Sequence, residues 1–409
     1  MIAFEEAQRR VAALACGPAR RTCEFPLGEA VGRVLASTLR APNDLVPYAR
    51  SAMDGFAVRA SDVGAAATLP VRGAVFAESG AAEHGPGTAT AIATGGALPR
   101  GADAVVPFER TVRENGSVRI AGPLEAGLHV FPAGDDARAG DTLLAAGTRL
   151  RGAMLGILAA AGYARVPVFE RPRIALLLTG NELVPIESVP HVGQIRDSNA
   201  PVLAAALAEF GGEVVRVARV ADDARALRAA LAAALDEVDL VVTCGGASVG
   251  ERDLVKPLAR ELGVAFAFEA VALRPAKPSA FGARGEVLVA VLPGNPASAF
   301  VALHEFVRPA LRVRSGERGE PFLPRVQATL DGTLHGRPQR TFAAFASLRW
   351  SGGRFVAKPL DNQCSSLTRG LADADGFALV PPGTGALEPG DEVAVDVLDW
   401  TRVGARPAG

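Results

Sequence analysis

The sequence predicts an α/β multidomain protein. It has a central, mainly parallel α/β sandwich, an N-terminal domain carrying an inserted β domain, and a C-terminal β-barrel. Three observations predict this. A chain of 409 residues exceeds what one hydrophobic core supports. Apolar strand-like runs alternate with helical patterns only between 172 and 318, which is how a parallel sheet covered on both faces reads. On either side the apolar runs are short and broken, and 45 Gly and 29 Pro supply the turns. The expected domains are 1–40 with 141–171, the insertion 41–140, the α/β unit 172–318, and the barrel 319–400.

The elements follow in order. Residues 4–15 have helical periodicity, and a second helical piece is expected over 27–35. Runs such as 69–76 and 102–108 mark the insertion as β-rich. A helix over 154–161 stops at Gly162. Strands are expected at 173–178, 214–220, 239–244 and 287–292, with helices at 201–210, 224–235, 251–262 and 297–313 between and after them. Asp197-Ser198-Asn199 opens the first of these helices and Gly211-Gly212 stops it. Short β-like runs at 325–330, 341–348, 376–380 and 392–398 make the barrel.

Composition narrows the function. The 43 basic and 44 acidic residues nearly cancel, so no basic field exists to hold a long polyanion, and nucleic acid is not an expected partner. No apolar run reaches membrane-spanning length, the N-terminus is unlike a signal peptide, and Cys16, Cys23, Cys244 and Cys364 form no C-x-x-C pair. A reduced, cytoplasmic setting without a membrane is expected.

Ligands of open α/β sheets bind beyond the carboxyl ends of the strands. Four motifs fall there: Thr179-Gly-Asn-Glu182-Leu183, Asp222-Asp223, Cys244-Gly245-Gly246-Ala-Ser248-Val-Gly250-Glu-Arg-Asp253, and Pro293-Gly-Asn295-Pro296-Ala-Ser298. One such loop is a turn; four on one edge describe a pocket. Gly245, Gly246, Ser248 and Gly250 allow backbone N–H groups to approach a phosphate, although the same spacing serves a plain strand-to-helix turn. Pro293, Asn295 and Pro296 cap a helix or cradle a flat or anionic ligand. Arg274 and Lys277, in a proline-stiffened segment, are candidate anion binders. The carboxylates Asp54, Asp136, Glu182, Asp222 and Asp253 beside such cations suggest Mg²⁺ bridging an anionic ligand. Ser51-Ala-Met-Asp54-Gly55 and Thr94-Gly-Gly through Glu109 lie far from the α/β unit, so folding or dimerisation must bring them to it.

In these motifs the sequence resembles the MoeA family of molybdopterin molybdenumtransferases, with gephyrin E as a homologous domain. The resemblance spans about residues 1–400 in family order and includes Gly134-Asp-Asp136 and Gly193-Gln-Ile-Arg-Asp-Ser-Asn199. It implies a homodimer whose site lies between the α/β domain of one subunit and the N-terminal region of the other. The implied substrates are adenylylated molybdopterin and molybdate, with Mg²⁺-dependent loss of AMP and transient contact with other cofactor-synthesis enzymes. Asp54, Thr94, Asp136, Glu182, Asp222 and Asp253 would be catalytic, and Glu182, Asp222 and Asp253 metal ligands. Gly245, Gly246, Ser248, Gly250, Arg274, Lys277, Pro293, Asn295, Pro296 and Ser365 would bind the substrate.

The sequence departs from the family pattern at Phe131, where an Arg is usual, at Asp135 for Glu, at Ala276 for Gly, and at Cys364 for the Gly of Gln-Gly-Ser. The Phe131 change removes a cation from the expected partner wall. A molybdopterin adenylyltransferase or a related nucleotide-pyrophosphate hydrolase shares the α/β domain and is the rival reading.

Overall fold

A computed structural model describes residues 1–17, 21–80, 82–246, 254–366 and 368–403. Its centre is a six-stranded sheet in the order Glu213–Val220, Arg173–Thr179, Leu240–Cys244, Val287–Leu292, Ala280–Arg284, Ala265–Phe268. The first four strands are parallel and the last two antiparallel. The four expected parallel strands are thus present. The antiparallel pair was not anticipated, because its alternation is interrupted by Gly282 and short polar turns.

Arg173–Thr179 and Leu240–Cys244 have no exposed residue, as strands covered on both faces require. One face packs on Asn199–Glu209 and Pro296–Ala302 and, unexpectedly, on the N-terminal helix Phe4–Ala15, whose Phe4, Ala7, Val11 and Ala15 enter that core. The other face packs on Ala224–Glu237 and Val255–Glu261. A buried leucine such as Leu176 contributes about 1.5–3 kcal/mol by leaving water. Its truncation to Ala would cost about 2–5 kcal/mol because a cavity remains.

The chain leaves Arg173–Thr179 to pair on one side with Glu213–Val220 and later on the other with Leu240–Cys244. The connections after these neighbouring strands diverge, which opens a crevice at their carboxyl ends.

The expected helix over 27–35 is a single 3-10 turn, Leu27–Glu29. Gly32 has φ +79, and Val34 and Leu35 instead form bridges with Arg149 and Val168. Glycine flexibility and the neighbouring strands override the apolar spacing. The helix expected over 297–313 is present in three parts: Pro296–Ala302, a π turn Leu303–Val307, and Arg308–Arg314. Pro309 has no N–H to give, and the widened turn accommodates it.

A second six-stranded sheet, with Ala104–Pro107, Gly55–Val58, Ala89–Ile92 and Ala66–Val75 as successive neighbours, confirms the β-rich insertion. Near the C-terminus, Thr341–Ser351, Arg354–Pro359, Arg325–Leu330, Glu392–Val397 and Gly376–Val380 close on themselves as a five-stranded barrel.

Candidate functional site

The crevice is a cavity of about 630 Å³ lined by Thr179, Glu182, Asp197, Asn199, Asp222, Gly245, Gly246, Pro293, Asn295 and Pro296 among others. It gathers the motifs of all four strand-end loops. Ser248, Gly250 and Asp253 lie outside the described residues.

Each wall follows from local chemistry. Gly245 has φ +97, and a Cβ there would lie 2.2 Å from the Thr179 carbonyl oxygen, so only glycine fits. Asp222 and Asn181 exchange hydrogen bonds: the Asn181 N–H donates to Asp222 Oδ2 and the Asp222 N–H to Asn181 Oδ1, both at 3.1 Å. Asp223 is occupied differently, since its Oδ1 accepts from the Ala226 N–H at 2.9 Å and caps Ala224–Glu237. The adjacent acids therefore separate into one that faces the cavity and one that caps.

Asn199 Nδ2 donates to the Gly294 carbonyl at 2.7 Å and holds the Pro293–Pro296 loop. The loop is also fixed from the barrel side: the Ala297 N–H donates to the Ser365 carbonyl at 3.1 Å, and Asn295 Nδ2 to Ser365 Oγ at 3.3 Å. Cys244 donates to the Pro293 carbonyl, and burial pushes its thiol up to about 12. It is a structural, unreactive group.

Asp197 is a cavity residue that the sequence reading left without a role. It is 4% exposed; Oδ1 accepts from the Ala200 N–H, and Oδ2 has no hydrogen-bond partner among the described residues. Its position before a helix made it read as a cap alone.

A second cavity of about 320 Å³ adjoins the first across Pro278. Arg274, Lys277, Ser298, Arg340, Phe342, Gln363, Cys364 and Ser365 are among its lining residues. Arg274 and Arg337 lie 5.3 and 6.0 Å from the Phe342 ring centroid. Partial burial, and then the neighbouring Arg337 and Arg340, hold the Arg274 guanidinium below its usual range. The charges therefore add, and the cavity is built for an anion. Arg340 was missed because it lies in a barrel loop, far in sequence from Arg274 and Lys277.

Asp54, Thr94 and Asp136 line neither cavity. Asp54 Oδ1 accepts from the Thr94 N–H at 2.6 Å and its hydroxyl at 2.9 Å. These bonds, the backbone one first, hold the Asp54 carboxyl below its usual range. Asp136 is exposed in a turn that Gly134, at φ +68, allows. Phe131 pairs with Arg50 on the neighbouring strand, and the guanidinium carbon lies 5.3 Å from the ring centroid. The segment expected to form the partner wall therefore carries a cation beside the aromatic ring.

A further cavity, of about 350 Å³, lies at the amino-terminal end of the same strands and is lined by both signs of charge. Arg21 pairs with Glu170 at 3.1 Å, and the Arg173 N–H with Asp239 at 2.7 Å, so these groups hold the sheet edge together.

Residues 2–162 match the MoeA N-terminal region (domain I and II), residues 175–313 a probable molybdopterin binding domain, and residues 327–398 the MoeA C-terminal region (domain IV). The chain belongs to the MoeA family. It is 32% identical to the molybdopterin molybdenumtransferase of Bacillus subtilis (strain 168), over 92% of each chain. It is 35% identical to molybdopterin molybdenumtransferase 2 of Mycobacterium tuberculosis (strain ATCC 25618 / H37Rv), over 97% of this chain and 99% of that one. The crystal structure of the molybdopterin biosynthesis MoeA protein from Pyrococcus horikoshii OT3 superposes with a TM-score of 0.84 at 27% identity, covering 97% of this chain and all of that one.

Proposed function

We propose that this chain is a molybdopterin molybdenumtransferase, which inserts molybdate into adenylylated molybdopterin with release of AMP. The observation that carries the reading is the pair of adjoining cavities: one lined by carboxylates and glycine loops, the other by Arg274, Lys277 and Arg340. A substrate with a phosphoanhydride and a separate oxyanion needs two such compartments side by side.

The donor set is suited to Mg²⁺. Glu182 and Asp222 line the same cavity, and Asp197 there has an oxygen without a hydrogen-bond partner among the described residues. No group of three or more His, Cys, Asp or Glu among the described residues could hold a metal ion. Mg²⁺ does not require one, since it takes one or two carboxylates and completes its shell with water and phosphate oxygens. Glu182 and Asp222, with Asp253, are the residues that would hold it. Bound Mg²⁺ supplies Lewis-acid neutralisation of the phosphoanhydride.

The chain's own groups do the rest. Gly245 and Gly246 allow close approach of phosphate to backbone, and Ser248 and Gly250, which follow them in the sequence, are proposed to bind the same group. Pro293, Asn295, Pro296 and Ser365 shape the wall between the compartments. Arg274, Lys277 and Arg340 attract and orient molybdate. Asp54, Thr94 and Asp136 belong to the facing wall, supplied by the second subunit of a homodimer. Arg50 supplies that wall with the charge that Phe131 does not. That they line neither cavity of their own chain supports this placement.

The test is AMP release by purified protein from adenylylated molybdopterin with Mg²⁺. Release stimulated by molybdate and independent of ATP supports the proposal. ATP consumption without molybdate dependence replaces it with an adenylyltransferase.

A further inference from the structure

Cys364 is exposed. It lines the cationic cavity together with Arg274, Lys277 and Arg340. Ser366 Oγ lies 3.1 Å from the sulfur, and the Cys364 N–H donates to Asn362 Oδ1 at 3.0 Å, which fixes the turn. Hydrogen bonds from the Ser366 side chain and then its backbone hold the thiol below its usual range.

The cavity itself points to a ligand. Ser298 is 6% exposed and lines it, yet its hydroxyl has no hydrogen-bond partner among the described residues. A donor left unused beside three cations is arranged for an oxyanion.

We infer that Cys364 is a peroxide-sensitive modification site, whose oxidised sulfur occupies the anion cavity and shuts the enzyme off. The thiolate sulfur attacks one oxygen of hydrogen peroxide. The S–O bond forms as the O–O bond breaks, and the leaving hydroxide takes a proton from solvent. Sulfur is oxidised by two electrons and peroxide is reduced to water. The product is a sulfenate, an oxyanion of the class this cavity accommodates. Arg274, Lys277, Arg340 and the free Ser298 hydroxyl favour it over the neutral acid. A dithiol reverses it: one thiol displaces the oxygen as water to give a mixed disulfide, and the second closes on the first and releases Cys364. The inhibitory consequence rests on the function proposed above; the reactivity of the thiol does not.

The other cysteines serve as internal controls. Cys244 is buried with its thiol pushed up to about 12, Cys23 is half-buried, and Cys16 is exposed but lines none of the cavities described.

The experiment treats the full-length protein with hydrogen peroxide in the presence of dimedone and maps adducts by mass spectrometry. Cys364 is expected to be labelled first, by about tenfold in rate over Cys16. Equal or faster labelling of Cys16 or Cys23 overturns the assignment whether or not the enzyme reading holds. In a second arm, AMP release after peroxide is compared with each protein's own untreated rate. The wild type should fall by about tenfold and recover with dithiothreitol, while Cys364→Gly and Cys364→Ser keep their rates. Equal losses in wild type and both variants reject the regulatory role. A wild type that labels at Cys364 yet releases no AMP even untreated leaves the modification site standing and rejects the proposed function.

Discussion

At the carboxyl end of the central sheet, Glu182 and Asp222 line a cavity whose walls are fixed by cross-loop hydrogen bonds. In the inserted segment, Asp54, Thr94 and Asp136 lie in turns and bends between strands, are exposed, and line neither of the cavities at that end. Both sets of carboxylates are exposed, but one lines a cavity of its own chain, whereas the other is ordered locally and left open, facing neither cavity. A half that lines a cavity binds and positions. An open half with its carboxylate held ionised by two donors from Thr94 becomes part of a site only when another surface meets it.

The largest expected effect falls on the cavity-lining half. Glu182→Gln or Asp222→Asn should lower AMP release by about 100-fold with an unchanged unfolding midpoint. Wild-type turnover by either variant would remove that carboxylate from the chemistry. The next test asks whether the open half works in trans. Asp54→Ala and Glu182→Gln subunits are each inactivated, then unfolded and refolded together. Random assortment of a shared-site dimer restores about a quarter of wild-type activity. No recovery would mean that Asp54 and Glu182 act on one chain or not at all.

A smaller effect concerns ionisation of the open wall. Thr94→Val removes the hydroxyl donor but keeps the backbone donor, so the Asp54 carboxyl should rise part-way to its usual range. The sign follows from the depressed native value: Asp54 stays charged to lower pH in the wild type, so the acid limb of the rate profile moves up in the variant. An unmoved acid limb would mean that Asp54 does not set it.

The smallest effect lies under the anion cavity. Ala276 sits at φ +93 and is 2% exposed. A left-handed alanine carries about 1 kcal/mol of strain, so Ala276→Gly should raise stability in urea unfolding by about that amount, less the entropy that glycine adds to the unfolded chain. A destabilised Ala276→Gly would show that the loop does not store that strain.

The central sheet was legible because strands buried on both faces read as unbroken apolar runs, and 173–178 and 287–292 match the observed strands closely. The piece at 27–35 misled because apolar spacing suggested a helix where Gly32 and strand bridges decide otherwise. Of the site, the strand-end motifs were readable since loop glycines and acids stand out against apolar flanks. Asp197 was masked by its capping role, and Arg340 by its distance along the chain.

The sequence by itself determined the order of elements, the family, and which edge of the central sheet carries the chemistry, because these depend on local pattern. Tertiary structure alone decided that Asp222 faces the cavity while Asp223 caps a helix, and that Arg340 joins Arg274 and Lys277. It also placed Arg50 beside Phe131, and set Cys364 in the cationic cavity. Each of these depends on where distant segments meet, and burial and backbone hydrogen bonding across the whole molecule fix those meetings.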